Sequence, residues 1–320
     1  MLRLRLLPAV LALGLLTAAC SSDDQSSTGP TGGSQIAAIM ASVDLYAGDP
    51  QRVALGLITP DNHFVSFGSV EVAFSMVGSA EEATSPQPGP NVKASFVPTF
   101  GTPDRANGPV VTNPNEGRGV YEAQDVVFDA PGFWVADVTA DVQGLGTQTA
   151  QASFAVQERP QLPAPGDDAM KTDTLTADSK GVPKAAIDSR AANTGKIPDP
   201  ELHEWTIARA IAQGRPALVV FATPLFCVSR FCGPVTNMVE DLAHRYRDRA
   251  VFIHVEIWKD FDKKVLNDAP KEWLQTPNGD LTEPWLFLIG ADGAIQDRWS
   301  SMWSEQEVAD ELEALPRMKP

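Results

Sequence analysis

The stretch Phe221-Ala222-Thr223-Pro224-Leu225-Phe226-Cys227-Val228-Ser229-Arg230-Phe231-Cys232-Gly233-Pro234-Val235 carries an apolar run into a loop that holds two of the chain's 3 cysteines. Positions five apart on an α-helix face directions roughly 140° apart, so the two sulfurs cannot pair within regular helix and one cysteine lies in the loop. Pro234 suits a first helical turn, and Val235, Met238, Val239, Leu242, Ala243 and Tyr246 then share a face. Cys232 is thereby expected at a helix N-terminus, where the dipole and unpaired N–H groups favour a reactive thiolate.

Working outward, Ala217 to Ala222 is apolar on both faces, as a covered central strand is, and Ala250 to Ile257 repeats the pattern after the helix. A β-α-β unit of this kind makes parallel neighbours. Trp258 to Thr282 is polar and irregular, with a short helix around Pro270 to Leu274. Then come Glu283-Pro284, an apolar run from Trp285, the turn Asp292-Gly293 and a strand from Ala294 to Trp299. Ser304 and Glu307 have capping-box spacing before Val308, Leu312 and Leu315. Upstream, Asp199-Pro200 predicts a helix start, with Leu202, Trp205, Ala208 and Ile211 on one face and Gly214 as the stop.

This order, with Cys232-Gly233-Pro234 at a helix start, resembles the thioredoxin superfamily over roughly residues 202–315. Val235 stands where that family's second motif cysteine would be, which leaves Cys227 as the only substitute. The resemblance implies a cis bond before Pro284, facing the cysteines, and a thiol-disulfide exchange in which Cys232 attacks a partner disulfide and Cys227 resolves the intermediate. Arg230, between the cysteines, is placed to lower a thiol pKa, or to be an exposed loop arginine.

Other readings of the pair stay open. Thr223-Pro224 ahead of Cys227 and Cys232 is similar to peroxiredoxins of the atypical Q type. Two cysteines with a distant histidine, His254, are similar to Sco-type copper chaperones, since thiolates select soft cuprous ions. A satisfied strand histidine also accounts for His254, and His203 and His244 fit exposed helix positions. A plain structural disulfide across so short a loop would contribute on the order of 2 kcal/mol. Trp258, Trp273, Trp285, Trp299 and Trp303 are read as core and rim packing.

The chain opens on Arg3 and Arg5, an apolar run from Leu6 to Leu16 and Thr17-Ala18-Ala19-Cys20, a signal-peptide pattern whose end resembles the bacterial lipobox. That resemblance implies cleavage after residue 19 and acylation of Cys20, which also removes the odd cysteine. Residues 20–34, rich in Ser, Gly, Thr and Asp, read as a flexible tether. A net charge of −16 argues against nucleic acid and against direct docking on anionic lipid.

Residues 35–158 show β-rich runs separated by Gly, Pro, Asn and Asp, with candidate strands Val53 to Ile58, Ser69 to Val77, Asn91 to Val97, Val120 to Phe128, Phe133 to Val142 and Thr147 to Val156. The segment Tyr121…Phe128…Pro131-Gly132-Phe133-Trp134 resembles immunoglobulin-like bacterial domains, which implies a β-sandwich. His63 reads as a turn residue, without a metal-ligand cluster around it. Residues 159–198 are rich in Pro, Ala and Asp and read as a linker that separates or wraps its neighbours.

The expected architecture is therefore two-domain: an N-terminal all-β immunoglobulin-like sandwich and, over residues 199–320, a C-terminal α/β thioredoxin-like fold. The expected function is a lipid-anchored, extracytoplasmic thiol-disulfide exchange protein of a bacterial membrane that uses Cys232, Cys227 and Pro284. Its partners would be protein or small-molecule thiols and disulfides, with no cofactor and no metal. The competing class is a non-catalytic binding lipoprotein with a structural disulfide.

Overall fold

A computed structural model describes residues 35–79, 82–114, 117–229 and 231–318. The first part of the chain forms β1 (Ala37–Met40), β2 (Gln51–Ile58), β3 (Phe64–Ser66), β4 (Ser69–Gly78), β5 (Ala83–Pro98), β6 (Val111–Thr112), β7 (Gly119–Val126), β8 (Gly132–Val142) and β9 (Gly146–Val156). All are antiparallel to their neighbours, in the order β6-β3-β2-β7-β5-β4-β8-β9 with β1 paired to β2. Alternation orients them: Val70, Val72 and Phe74 of β4 and Trp134, Ala136 and Val138 of β8 are buried in one core with Tyr121 and Phe128.

This arrangement corrects the immunoglobulin-like sandwich. The hydrogen bonds run without a break through one nine-stranded sheet, where a sandwich needs two separate ones. The reason lies in β5. Its residues from Ala83 to Ser95 pair with β4, while Ser95 to Pro98 pair with β7, so one long strand joins what would be two sheets. Register shifts in the β4–β5 pair let the sheet bend around its core.

The later chain forms the short helix α1 (Ala191–Thr194), α2 (Ile207–Ala212), β10 (Ala217–Ala222), α3 (Cys232–Tyr246), β11 (Val251–Glu256), β12 (Trp258–Asp260), β13 (Val265–Leu266), α4 (Asp268–Leu274), β14 (Trp285–Ile289), β15 (Ile295–Ser300) and α5 (Glu305–Ala314). β10 lies between β11, parallel as the sequence predicts, and β14, antiparallel, with β15 beyond. Val235, Met238 and Leu242 of α3 and Val308 and Leu312 of α5 cover one face. Ile207 and Ala210 of α2 and Trp273 and Leu274 of α4 cover the other.

The expectation of a C-terminal α/β thioredoxin-like fold is also corrected. The protein is mostly β, 39% strand against 18% helix, and this region holds only a small four-stranded sheet and the β12–β13 pair beside the dominant antiparallel sheet. Nor is it closed on itself. Ala54, Val97 and Val120 of the large sheet belong to the same apolar cluster as α3, α5 and β10, and the described residues form one unit. The helix predicted from Asp199 is broken as well: Pro200–His203 is a single 3-10 turn, and α2 starts afresh on Thr206, whose hydroxyl accepts the Arg209 N–H.

Residues 159–198 wrap the molecule. Leu162, Ala164, Ala169, Ile187 and Ala191 are buried, although the composition reads as unable to build a core. Backbone pairing explains it: Gly166 and Ala169 donate to Ile295 and Gly293, and Asp167 accepts from Ile295. Asp44 accepts the N–H groups of Gln161 and Leu162 and pairs with Arg298 at 2.8 Å, which in turn donates to the carbonyls of Leu162 and Pro163. Few apolar side chains suffice when a segment leans on surfaces already built.

A second seam is ionic. Arg52 of β2 donates to both carboxylate oxygens of Asp297 at 2.9 and 2.6 Å, pairs with Glu307, and lies over the Trp299 ring.

Candidate functional site

Cys227 and Cys232 form a disulfide with their Cα atoms 5.9 Å apart. Cys232 is the first residue of α3, as the proline spacing predicts, and Cys227 lies in the loop before it. The Cys232 N–H points at the Cys227 sulfur, 3.3 Å away, and the Ser229 hydroxyl lies 3.2 Å from the same sulfur. Exposure divides the pair: Cys232 is fully buried, whereas Cys227 is half-buried and followed by Val228, which is 94% exposed. The loop is anchored at its start by the Leu225 N–H on the Ser189 hydroxyl and by Phe226 stacked on Phe261 at 4.1 Å. Arg230 lies outside the described residues.

Glu283 completes the cluster. One of its carboxylate oxygens lies within 4.8 Å of both sulfurs, and its Oε2 is buried without a hydrogen-bond partner. Burial, reinforced by the negative charge of Glu256, pushes its pKa up to about 8, so the group is mainly protonated at neutral pH. The Glu283–Pro284 peptide is cis, as expected for Pro284. A cleft of about 850 Å³ opens over this group, walled by Ile39, Met40 and Phe64 from the large sheet and by Val228, Phe231 and Leu281 from the other side. The disulfide loop thus faces an apolar groove to which the β-rich half contributes a wall, a role that no motif in residues 35–158 announces.

A second cluster escaped the sequence altogether. Asp188, His203 and His254 converge in the interior, from the wrapping segment, the 3-10 turn and β11. Asp188 Oδ2 is 3.4 Å from Nε2 of His203 and 3.3 Å from Nδ1 of His254. Arg190 bridges Asp188 and Asp199, each at 2.7 Å. His203 is therefore not on an exposed helix face. The 3-10 turn points it inward, and of the two only His244 is exposed, pairing with Glu201 at 2.9 Å. His254 Nε2 donates to the Ala222 carbonyl at 3.0 Å, and the histidine clusters with Asp188 instead of with the cysteines. No spacing rule joins positions 188, 203 and 254, because only the wrap brings Asp188 inward.

His63 lies exposed in the turn closed between Thr59 and His63, and no potential metal cluster among the described residues includes it. Cys20, with the segments read as signal peptide and tether, lies outside the described residues. Among the described residues no helix is long and apolar enough to cross a membrane. No protein-family model matches the chain, and no curated protein matches it either.

Proposed function

We propose that this is a membrane-anchored extracytoplasmic protein that exchanges disulfides through Cys227 and Cys232. The observation that carries the reading is the disulfide itself. It sits at a helix N-terminus, with Cys227 half-buried, beside a carboxyl group with a buried oxygen, in a loop whose Val228, Ser229 and Phe231 line an apolar cleft. A bridge that merely staples a loop has no use for a protonated carboxyl group next to its sulfurs.

The difference in burial supports an order of attack opposite to the one the thioredoxin resemblance implies. A partner thiolate reaches Cys227 Sγ and forms a mixed disulfide with it. The Cys227–Cys232 bond breaks, and its electron pair goes to Cys232, whose thiolate is stabilised by the α3 N-terminus. Glu283 supplies the proton that Cys232 takes up. The partner's second thiol then attacks its own mixed-disulfide sulfur and Cys227 leaves, so the partner is oxidised and the pair reduced by two electrons. Run backwards, the same steps reduce a partner disulfide.

The test is exchange with a model dithiol and with insulin, together with the reduction potential of the pair. The wild type should exchange, both single Cys→Ser variants should lose turnover, and Cys232→Ser should trap a mixed disulfide on Cys227. A potential below about −300 mV with no turnover would instead mark a structural bridge in a binding protein. The anchor is checked separately. Labelled fatty acid should enter the wild type and be lost from Cys20→Ser, as the residues around Cys20 imply.

A further inference from the structure

We propose that Asp188, His203 and His254 form a binding site for a divalent transition-metal ion of the zinc type. Buried polar atoms in native proteins are almost always partnered, and clustered exceptions point to an ion or water. Here both ring nitrogens of His203 and Nδ1 of His254 make no aligned hydrogen bond, although both residues are only 1% exposed. Two of these nitrogens, Nε2 of His203 and Nδ1 of His254, face the same Asp188 oxygen, and leaving them unpartnered is costly unless something lies between them.

Tautomer and distance both fit an ion. His254 gives its Nε2 proton to the Ala222 carbonyl, which in the neutral ring leaves the Nδ1 lone pair facing Asp188. A lone pair opposite a carboxylate oxygen is repulsive unless a cation stands between them. A backbone acceptor on the far nitrogen is the usual support of a metal-ligating histidine. The separations of 3.3 and 3.4 Å from Asp188 Oδ2 are long for charge-assisted hydrogen bonds. They match the edge of about 3.3 Å between ligand atoms placed roughly 2.05 Å from a tetrahedral zinc.

Charge agrees. Asp188 and Asp199 bring two negative charges and share the single guanidinium of Arg190, which leaves one uncompensated, and buried Glu256 stands two residues after His254. Imidazole and carboxylate ligands suit zinc or cobalt rather than cuprous ion. The site lies in the interior, between the wrapping segment, the 3-10 turn and β11, so the ion acts as a clasp for the fold and not as a reagent at the disulfide. A proton on His254 Nδ1 is the competing occupant.

The experiment unfolds the purified full chain in chelator with its disulfide intact, then refolds it with zinc, with cobalt or with neither. Expected are one zinc per chain after gel filtration and a melting temperature raised by roughly 5–10 °C at a hundredfold excess over the dissociation constant. The cobalt form should show a ligand-field spectrum without thiolate charge-transfer bands. His203→Gln and Asp188→Asn should each lose the ion, whereas Cys227→Ser/Cys232→Ser should keep it, which separates this site from the cysteine cluster. If a variant fails to fold, the cobalt spectrum of the wild type decides. Wild type that retains no ion and melts alike in all three preparations overturns the proposal, as does full retention by folded His203→Gln.

Discussion

Arg52→Met destabilises the protein by about 3 kcal/mol at neutral pH, more than a hundredfold in the folding equilibrium, because it leaves the half-buried carboxylates of Asp297 and Glu307 without their cation. Asp297, Glu307 and Glu122 stand around this one guanidinium, and Asp297 holds both ends of its fork. Met keeps the apolar stem over Trp299, so the loss reports charge more than packing. The deficit should shrink in acid. Without Arg52, whose charge holds the Glu307 and Glu122 carboxyls down, these two keep their protons to higher pH, so the variant loses stability as pH rises through that range. Urea unfolding of both proteins at about pH 5 and about pH 8 measures it. A deficit under about 1 kcal/mol at both would show that the seam is held by apolar contact alone.

The wild type itself becomes less stable as pH rises from about 5 to about 8. Burial, with the charge of Glu307 added, pushes the Glu122 carboxyl up to about 8, and Glu283 reaches about the same value. Below the ordinary glutamate range both folded and unfolded chains hold these protons. Above it the unfolded chain releases them while the folded chain does not, so unfolding is increasingly favoured until the folded groups ionise near pH 8. Glu122 is 5% exposed and should account for at least about 2 kcal/mol across this window. Glu122→Gln keeps an oxygen able to accept the Gln124 amide hydrogen bond and should flatten its share of the slope. Glu283→Gln should flatten the remainder and also slow disulfide exchange, since it removes the acid next to Cys232. A stability curve as steep in both variants as in the wild type would show that neither group carries the effect.

Local pattern was readable where one residue type has one physical use. Pro234 after Cys232 marked the start of α3, and the alternation of Val70, Val72 and Phe74 marked a half-buried strand. Ser304 caps α5 by accepting the Glu307 N–H, as the spacing required. What failed was assembly. Whether β5 ends one sheet or bridges two is decided by hydrogen bonds to β4 and β7 far away in sequence, and no window around Pro86 and Pro88 contains that information. The same holds for the site: the cysteines were visible from their loop, but Glu283 looked like a mere prefix to Pro284, and Asp188 sat in a segment whose composition argued for solvent.

The seam at Arg52 also sets a timetable for biosynthesis. Its partners Asp297 and Glu307 lie 245 and 255 residues further along the chain. At roughly 5–20 residues per second, a ribosome needs on the order of 10 to 50 s after Arg52 before Asp297 exists. Throughout that interval the large sheet has neither its ionic latch nor the apolar cover of α5, and for most of it not that of α3 either, so Ala54, Val97 and Val120 stay without their apolar neighbours. Maturation therefore waits for Asp297 and α5, and a chain truncated before them should be handled by the cell as an unfinished product rather than as a shorter protein.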